Sequence, residues 1–179
     1  MNKKYKIRND LKINFLGRTL FKIEAQVNID RYNIKKGDLG GYIEKESNLS
    51  QDGNAWVYGD AKVYGDAEVY GNAWVYGDAE VYGNAKVYGN AKVYGDAKVY
   101  GDKIKNNDDF YNITCNSSYN ITITSNFIRI GCQFHKKEEW WKFTDKEIKA
   151  MDGIKAIHFW KKWKPILMAI CETNKDKNV

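Results

Sequence analysis

The chain has 179 residues, enough for one domain with a buried core, and its 29 Lys and Arg against 23 Asp and Glu give a net charge of +6. Three cysteines in no framework spacing exclude a disulfide-rich secreted scaffold and indicate a reducing compartment. The longest apolar run, Ile166 to Ile170, is too short to span a bilayer, and no secretory signal is visible at the N-terminus.

The N-terminal segment, residues 1–53, is predicted to form a strand and a cap for the structure that follows. From Phe21 to Ile29 apolar residues alternate with polar ones, which is typical of a half-buried strand. Further on, Ile43 and Leu49 are in phase with the small alanines of the repeat described next. Because the terminal repeat of a solenoid must close an open core, these bulkier residues indicate a capping coil.

A six-residue unit, [Asn/Asp]-Ala-x-Val-Tyr-Gly, repeats eight times from Asn54 to Gly101 without an insertion. Such a period indicates a stacked architecture. Because six is an even number, the Ala and Val of every unit point to one side of an extended chain, and the variable residue and the Tyr point to the other. Residues 54–102 are therefore predicted to be the solenoid, with Asn or Asp at each corner.

The charges of the variable column predict how many units make one coil. Residues eighteen apart place Glu80 between Lys62 and Lys98, and Glu68 beside Lys86. A twelve-residue coil would instead stack Glu on Glu and Lys on Lys, which is unfavourable between neighbouring strands. The pattern therefore favours a three-sided coil of eighteen residues.

Residues 103–179 are predicted to form a small α+β module, with the coil ending near Asp102. Two strands, residues 119–124 and 127–130, would form a hairpin. A capping box at Thr144 opens a helix that ends at Gly153. A second helix is expected from Ile154 to about Lys164, ending before Pro165.

The hexads resemble those of left-handed parallel β-helices, with the valines in the aliphatic inward position. The resemblance predicts a β fold: a left-handed parallel β-helix with an N-terminal β cap and a small C-terminal α+β module. The segment from Ile34 to Ser50, with its Gly-Asp-Leu-Gly-Gly run, followed by residues 54–59, looks like hexapeptide-repeat proteins of phages and prophages. Because that family mostly lacks assigned activities, the resemblance implies a phage setting and no catalytic residues.

The residues that could carry chemistry are few. Hexapeptide acyltransferases typically use a His on the coil as a general base, but residues 54–101 contain no His, Cys or Ser. His135 and His158 are the two imidazoles, and an acyltransferase that uses one of them is kept as an alternative. Cys132 and His135 have a metal-ligand spacing without a matching second pair, so no metal site and no cofactor are predicted.

Two groups of residues are candidate binding sites. The first is one face of the coil, which would be either a subunit interface in a homotrimer or a platform for a flat ligand; it comprises Trp56, Tyr58, Trp74, Tyr76, Lys92 and Tyr94. The second group could contact an anionic partner, although packing of its aromatic rings inside the module is the favoured interpretation; it comprises Trp160, Lys161, Lys162, Trp163 and Lys164.

The charge distribution completes the functional prediction. Residues 1–53 and 102–179 each carry a net charge of +4, whereas the repeat carries −2, so an anionic partner is expected at the ends. We predict a non-enzymatic, trimeric phage accessory protein of the host cytoplasm that blocks or sequesters a host component. It would be a counter-defence inhibitor of a host protein or a sponge for a nucleotide-like signal; nucleic acid is a less favoured partner, and no membrane is expected. A virion or tail-associated structural protein is the other alternative.

Overall fold

The computed structural model describes residues 3–114 and 119–173, and it confirms the predicted parallel β-helix. Within these ranges no helix is both long enough and apolar enough to cross a membrane. The strands that precede the repeat are β1 (Tyr5–Phe15), β2 (Arg18–Ala25) and β3 (Leu39–Ile43). The strands of the repeat and its continuation are β4 (Trp56–Val57), β5 (Lys62–Val63), β6 (Glu68–Val69), β7 (Trp74–Val75), β8 (Glu80–Tyr82), β9 (Lys86–Val87), β10 (Lys92–Val93), β11 (Lys98–Tyr100) and β12 (Lys103–Ile104).

The coil has three sides, and each side is a stack of parallel strands. One stack is β4-β7-β10, a second is β6-β9-β12, and the third is β3-β5-β8-β11, which β2 and β1 extend into a six-stranded sheet. Residues eighteen apart are paired, for example Lys62 with Glu80 and Glu80 with Lys98. The predicted eighteen-residue coil is therefore confirmed, and the solenoid has about four turns.

The repeat produces this stack because each of its positions has one physical role. The Ala and Val of every hexad are at most 1% exposed and fill the interior. The hexad glycines have φ between +64° and +74°, a left-handed conformation that turns the corner and that glycine adopts without steric cost. At the corners Asn54 donates a 2.8 Å hydrogen bond to Asn72 on the next coil, so side chains as well as backbone connect the layers.

Both ends of the coil differ from the sequence prediction. Ile43 and Leu49 do lie in the first coil, but they pair with Val63 and Val69 and so occupy the valine position, not the alanine position. The prediction of an end near Asp102 is wrong, because β12 pairs in parallel with β9 and Ile104 is fully buried. Ile104 follows Val99 by five residues, so the last unit is one residue shorter than a hexad. A strict six-residue period does not predict that Ile104 occupies the buried valine position.

The N-terminal segment folds back as an antiparallel hairpin on top of the first coil. The predicted strand is β2, which ends at Ala25, and β1 is a further strand that pairs with it. Leu16 and Gly17 form the tight turn with φ of +49° and +76°. Apolar residues alternate along β1, but a register shift between Arg8 and Lys12 interrupts the pairing.

The C-terminal module is a four-stranded antiparallel sheet packed against helices. Its elements are β13 (Tyr111–Thr114), β14 (Asn120–Ile123), β15 (Phe127–Ile130), β16 (Gln133–Lys136), α1 (Lys137–Lys142) and α2 (Asp145–Thr173). The predicted hairpin is confirmed as β14 and β15, and the predicted capping box is confirmed because the Glu147 amide donates to the Thr144 hydroxyl. The module was predicted to reach residue 179; residues 174–179 lie outside the described ranges.

Helix α2 follows the sequence prediction only in its first half. Its backbone leaves helical geometry at Asp152 and Gly153, as expected for a stop at Gly153. The predicted end before Pro165 is wrong, since the helix continues through the proline to Thr173. Leu167 and Cys171 are buried in the core of the module, and their packing outweighs the hydrogen bond that proline removes.

Candidate functional site

The tryptophan face is the outer surface of β4-β7-β10, and it was predicted as an interface or ligand platform. The strand register aligns Trp56, Trp74 and Lys92 as expected. However, Trp56 is fully buried, with the ring of Tyr5 edge-on at 6.5 Å. The prediction is therefore wrong for Trp56, because the chain's own N-terminal segment covers it.

The rest of the tryptophan face is partly covered in the same way. Tyr32 stacks on Trp74 at 4.7 Å, and its hydroxyl donates to the carbonyl of Asn72. Tyr76 and Tyr94 stack on each other at 5.5 Å with an interplanar angle of 17°, so their ring faces contact each other. A flat ligand would meet ring edges and hydroxyls here, together with the exposed Tyr58 and Lys92.

A second aromatic surface, which we name the junction face, lies on the outside of β5-β8-β11. It consists of the tyrosine column Tyr64, Tyr82 and Tyr100 with the neighbouring Glu80 and Lys98. The Tyr64 and Tyr82 rings stack at 5.1 Å and 9°, and Tyr82 is 5.2 Å from Tyr100 at 48°. The column is graded in exposure, since Tyr64 is buried, Tyr82 is half-buried and Tyr100 is exposed.

The N-terminal hairpin lies against one end of the junction face. The ring of Phe15 approaches Tyr64 edge-on at 5.7 Å, and Lys62 lies 5.2 Å above Phe15. The guanidinium of Arg18 lies 5.9 Å from the Tyr64 ring. Two contacts of 2.9 and 3.0 Å to the Glu44 carboxylate hold Arg18 in place. A cation is thus fixed beside the buried end of the column.

The C-terminal sheet lies against the other end of the junction face. Arg129 donates a 3.1 Å hydrogen bond to the Tyr82 hydroxyl and a 3.0 Å bond to the Gly131 carbonyl. Phe134 approaches Tyr100 edge-on at 5.4 Å. Both basic ends of the chain therefore contact the same tyrosine column, one through Arg18 and the other through Arg129.

Glu80 organises the charges of the junction face. Its side chain, 10% exposed, accepts a 3.0 Å hydrogen bond from the Tyr64 hydroxyl and lies 2.6 Å from the Lys98 ammonium. Burial, reinforced by the Glu80 carboxylate, raises the pKa of Tyr64. Burial also raises the pKa of Tyr82, an effect that Arg129 opposes. Both hydroxyls therefore stay protonated near neutral pH, where they can donate hydrogen bonds.

The predicted cluster at residues 160–164 does not form one continuous surface. Trp160 is buried and packs on Trp141, while Trp163 stacks on Phe159 inside the module. Lys164 donates a 2.9 Å hydrogen bond to the Trp141 carbonyl. Lys161 forms an exposed ion pair with Asp145, and Lys162 is exposed. The favoured interpretation, in which the aromatic rings pack the module, is confirmed for Trp160.

The two histidines lie in the C-terminal module, on different secondary-structure elements. His135 is on β16, with the rings of Trp140 and Phe143 edge-on at 5.2 and 4.9 Å. His158 is exposed on α2. Among the residues that the structure describes, no group of three or more His, Cys, Asp or Glu side chains could hold a metal ion, and this includes the surroundings of Cys132.

The residues that sequence reasoning missed are the ones that the terminal modules bring to the coil. Arg18, Phe15, Arg129 and Phe134 have no periodic pattern that would assign them to a face of the repeat. A partial signal was present, because both flanking segments are basic and the repeat is not. A comparison of the chain with protein-family models finds no matching family, and a comparison with curated proteins finds no similar sequence.

Proposed function

We propose that the protein is a non-enzymatic binding protein, a phage accessory factor that blocks or sequesters a host component in the host cytoplasm. The observation that carries the proposal is the convergence of the two basic terminal modules on the junction face. Arg18 and Arg129 come from opposite ends of the chain and contact adjacent tyrosines of one column. A composite surface of this kind is suited to an anionic ligand with a planar ring.

The solenoid acts as the rigid scaffold of this surface. Every hexad places its Ala and Val in the buried interior, and backbone hydrogen bonds connect each coil to the next, for example from the Lys62 amide to the Ala79 carbonyl at 2.8 Å. A scaffold that does not rearrange holds the two arginines at a fixed separation. Ligand binding then costs little conformational entropy at the site.

The ligand that we favour is small and nucleotide-like. Arginine presents a planar fork of donors that matches a phosphate group, and Lys98, which is paired with Glu80, is a third cation on the same face. The exposed ring of Tyr100 is available for stacking or for contact with a sugar edge. Nucleic acid is the second choice, because it requires a longer basic track than one column of tyrosines supplies.

Self-association into a homotrimer belongs to the same proposal. The stack β6-β9-β12 carries Tyr70 and Tyr88, whose half-exposed rings stack at 5.0 Å, beside the Glu68–Lys86 ion pair. Tyrosine is favoured at protein interfaces because it combines a large apolar ring with a polar tip. Sedimentation equilibrium tests this part: we expect three times the chain mass of 20.7 kDa, and a monomer at micromolar concentration would contradict it.

Calorimetry and thermal-shift measurements with nucleotides, dinucleotides and short nucleic acids test the ligand-binding part. We expect at least one nucleotide to raise the unfolding temperature, and Arg129→Ala to reduce that increase. Lys146→Ala is the matched control, since it removes one exposed cation from α2, away from the junction face. No response to any compound would remove the anionic-ligand proposal, and equal responses of the two variants would move the site elsewhere.

A further inference from the structure

A small pocket lies in the C-terminal module between the antiparallel sheet and α2. The volume inside it is about 50 Å³, too small for a drug-sized ligand, and the pocket is partly open to solvent, so a small head group can enter it while the rest of a ligand stays outside. Four aromatic rings contribute to its lining, together with aliphatic side chains, the sulfur-containing Cys132 and Met151, and the polar Gln133 and Asp152. The aromatic residues are Tyr119, Trp140, Phe159 and Trp160.

Asp152 brings a carboxylate to this mostly apolar lining. Among the described residues that line the pocket, it is the one with a formal charge. The Tyr119 hydroxyl donates a 2.6 Å hydrogen bond to it, and the Lys155 ammonium lies 3.0 Å from the same oxygen. These two contacts lower the pKa of Asp152, so its carboxylate is ionised at neutral pH, with the Lys155 ammonium as its counter-ion.

The interruption of α2 explains how the carboxylate comes to the pocket. Asp152 has φ of −158° and ψ of 39°, and Gly153 has φ of +71°, so neither residue continues the helix. The change of direction lets Asp152 reach Tyr119, which immediately precedes β14. The bond connects the sheet to the helix beside the pocket, and both residues belong to the pocket lining.

We propose that this pocket binds a compact organic cation, namely a methylated or quaternary ammonium group. Aromatic faces attract such cations, and a neighbouring carboxylate compensates the charge in an apolar environment. An anionic ligand would be repelled by Asp152. A bare metal ion would lack a ligand set, because the described residues around the pocket contain no suitable cluster.

The ion pair with Lys155 does not block the site. Both partners are exposed, the lysine side chain by 62% and the aspartate by 45%, and an exposed pair of this kind contributes little. A ligand ammonium that is also held by aromatic rings can therefore displace the lysine. The inference is independent of the function proposed for the junction face, since it concerns another module and a ligand of opposite charge.

Titration with tetramethylammonium and choline tests the proposal. We expect both ions to quench tryptophan fluorescence with millimolar affinity, because Trp140 and Trp160 line the pocket. To test whether charge matters, we use 3,3-dimethylbutanol, a neutral compound of the same shape as choline. Its affinity should be at least about fivefold lower than that of choline. Equal binding of the neutral compound, or no binding of either ion, would overturn the proposal.

Variants locate the site. Asp152→Asn should weaken choline binding about fivefold and leave the binding of dimethylbutanol unchanged. Asp145→Asn is the matched control, since it removes an exposed carboxylate at the start of the same helix. Tyr119→Phe keeps the ring and removes the hydrogen bond, so it should retain most of the affinity. Unchanged choline binding in Asp152→Asn, with the melting temperature of the variant measured in parallel, would also overturn the proposal.

Discussion

Arg129 donates a hydrogen bond to the hydroxyl of Tyr82, which lies 47 residues earlier in the chain on the third coil of the solenoid. This contact attaches the C-terminal sheet to the junction face. Its counterpart at the other end is the approach of Arg18 to the ring of Tyr64, one coil above. The two contacts make the repeat a shared support for modules that are far apart in the sequence.

The bond between Arg129 and Tyr82 should contribute to stability as well as to binding. Arg129→Ala is expected to lower the free energy of unfolding by about 1–2 kcal/mol, because loss of the charged donor deprives the half-buried Tyr82 hydroxyl of this hydrogen bond. Urea denaturation measures the change. Lys149→Ala, which removes an exposed lysine of α2, should alter stability by less than about 0.5 kcal/mol. A loss no larger than that of the control would show that the contact does not hold the module.

Glu80 and Glu68 occupy the same position of the hexad on different faces, which provides a matched pair. Glu80→Ala should cost about 2 kcal/mol, because it leaves the buried Tyr64 hydroxyl without its acceptor. Glu68→Ala should cost at most about 0.5 kcal/mol, because its ion pair with Lys86 is exposed. Equal effects in chemical denaturation would contradict the role assigned to Glu80.

Ile104 tests the continuation of the coil beyond the regular repeat. Because its side chain is fully buried and paired with Val87, Ile104→Ala should lower stability by about 3 kcal/mol through lost burial and a new cavity. The neighbouring Lys105 is exposed, and Lys105→Ala should be close to neutral. Thermal and urea unfolding measure both variants. A change below about 1 kcal/mol for Ile104→Ala would place the end of the coil at Asp102 after all.

Lys4 should make stability depend on pH on the alkaline side. Its ammonium donates to the Ala55 carbonyl at 2.9 Å, and burial, partly offset by the charge of Asp52, lowers the pKa of Lys4 from 10.5 to about 8. Between these two values the unfolded chain binds the proton and the folded chain does not, so this group increases stability as pH rises. Below pH 8 both states are protonated, and its contribution is constant.

The difference between the wild type and Lys4→Met isolates this effect. We expect the wild type to gain stability relative to the variant between pH 8 and 9.5, a range that ends before the ordinary tyrosines ionise. Lys6→Met is the control, since Lys6 is exposed and pairs with Glu24. A difference that stays flat across this range, or that falls with rising pH, would contradict the assignment.

Much of the fold could be predicted because the same six-residue pattern occurs eight times in succession. The inward Ala and Val, the corner glycines and the eighteen-residue register all follow from a local period. The Lys–Glu–Lys column even anticipated the contact of 2.6 Å between Lys98 and Glu80. The hairpin of β14 and β15 and the capping box at Thr144 were equally local and equally predictable.

The candidate site could be predicted only in part. Aromatic residues were expected on the outer faces, but the face chosen from the sequence is the one that Tyr5 and Tyr32 cover. Tyr5 lies 51 positions before Trp56, and nothing in the spacing of either residue indicates that they meet. The two tryptophans of the repeat therefore pointed to a surface that the N-terminal segment partly covers.

The sequence by itself determined the three-sided coil, its core and the alternation of charges along it, because those features depend on neighbours at a fixed spacing. Only the tertiary structure decided where the coil ends, which aromatic face is covered, and where the basic terminal modules dock. Those outcomes rest on single long-range contacts, such as Arg129 with Tyr82 and Tyr5 with Trp56, which have no period. Such contacts form only when the chain has folded back on itself, and burial and hydrogen bonding stabilise them.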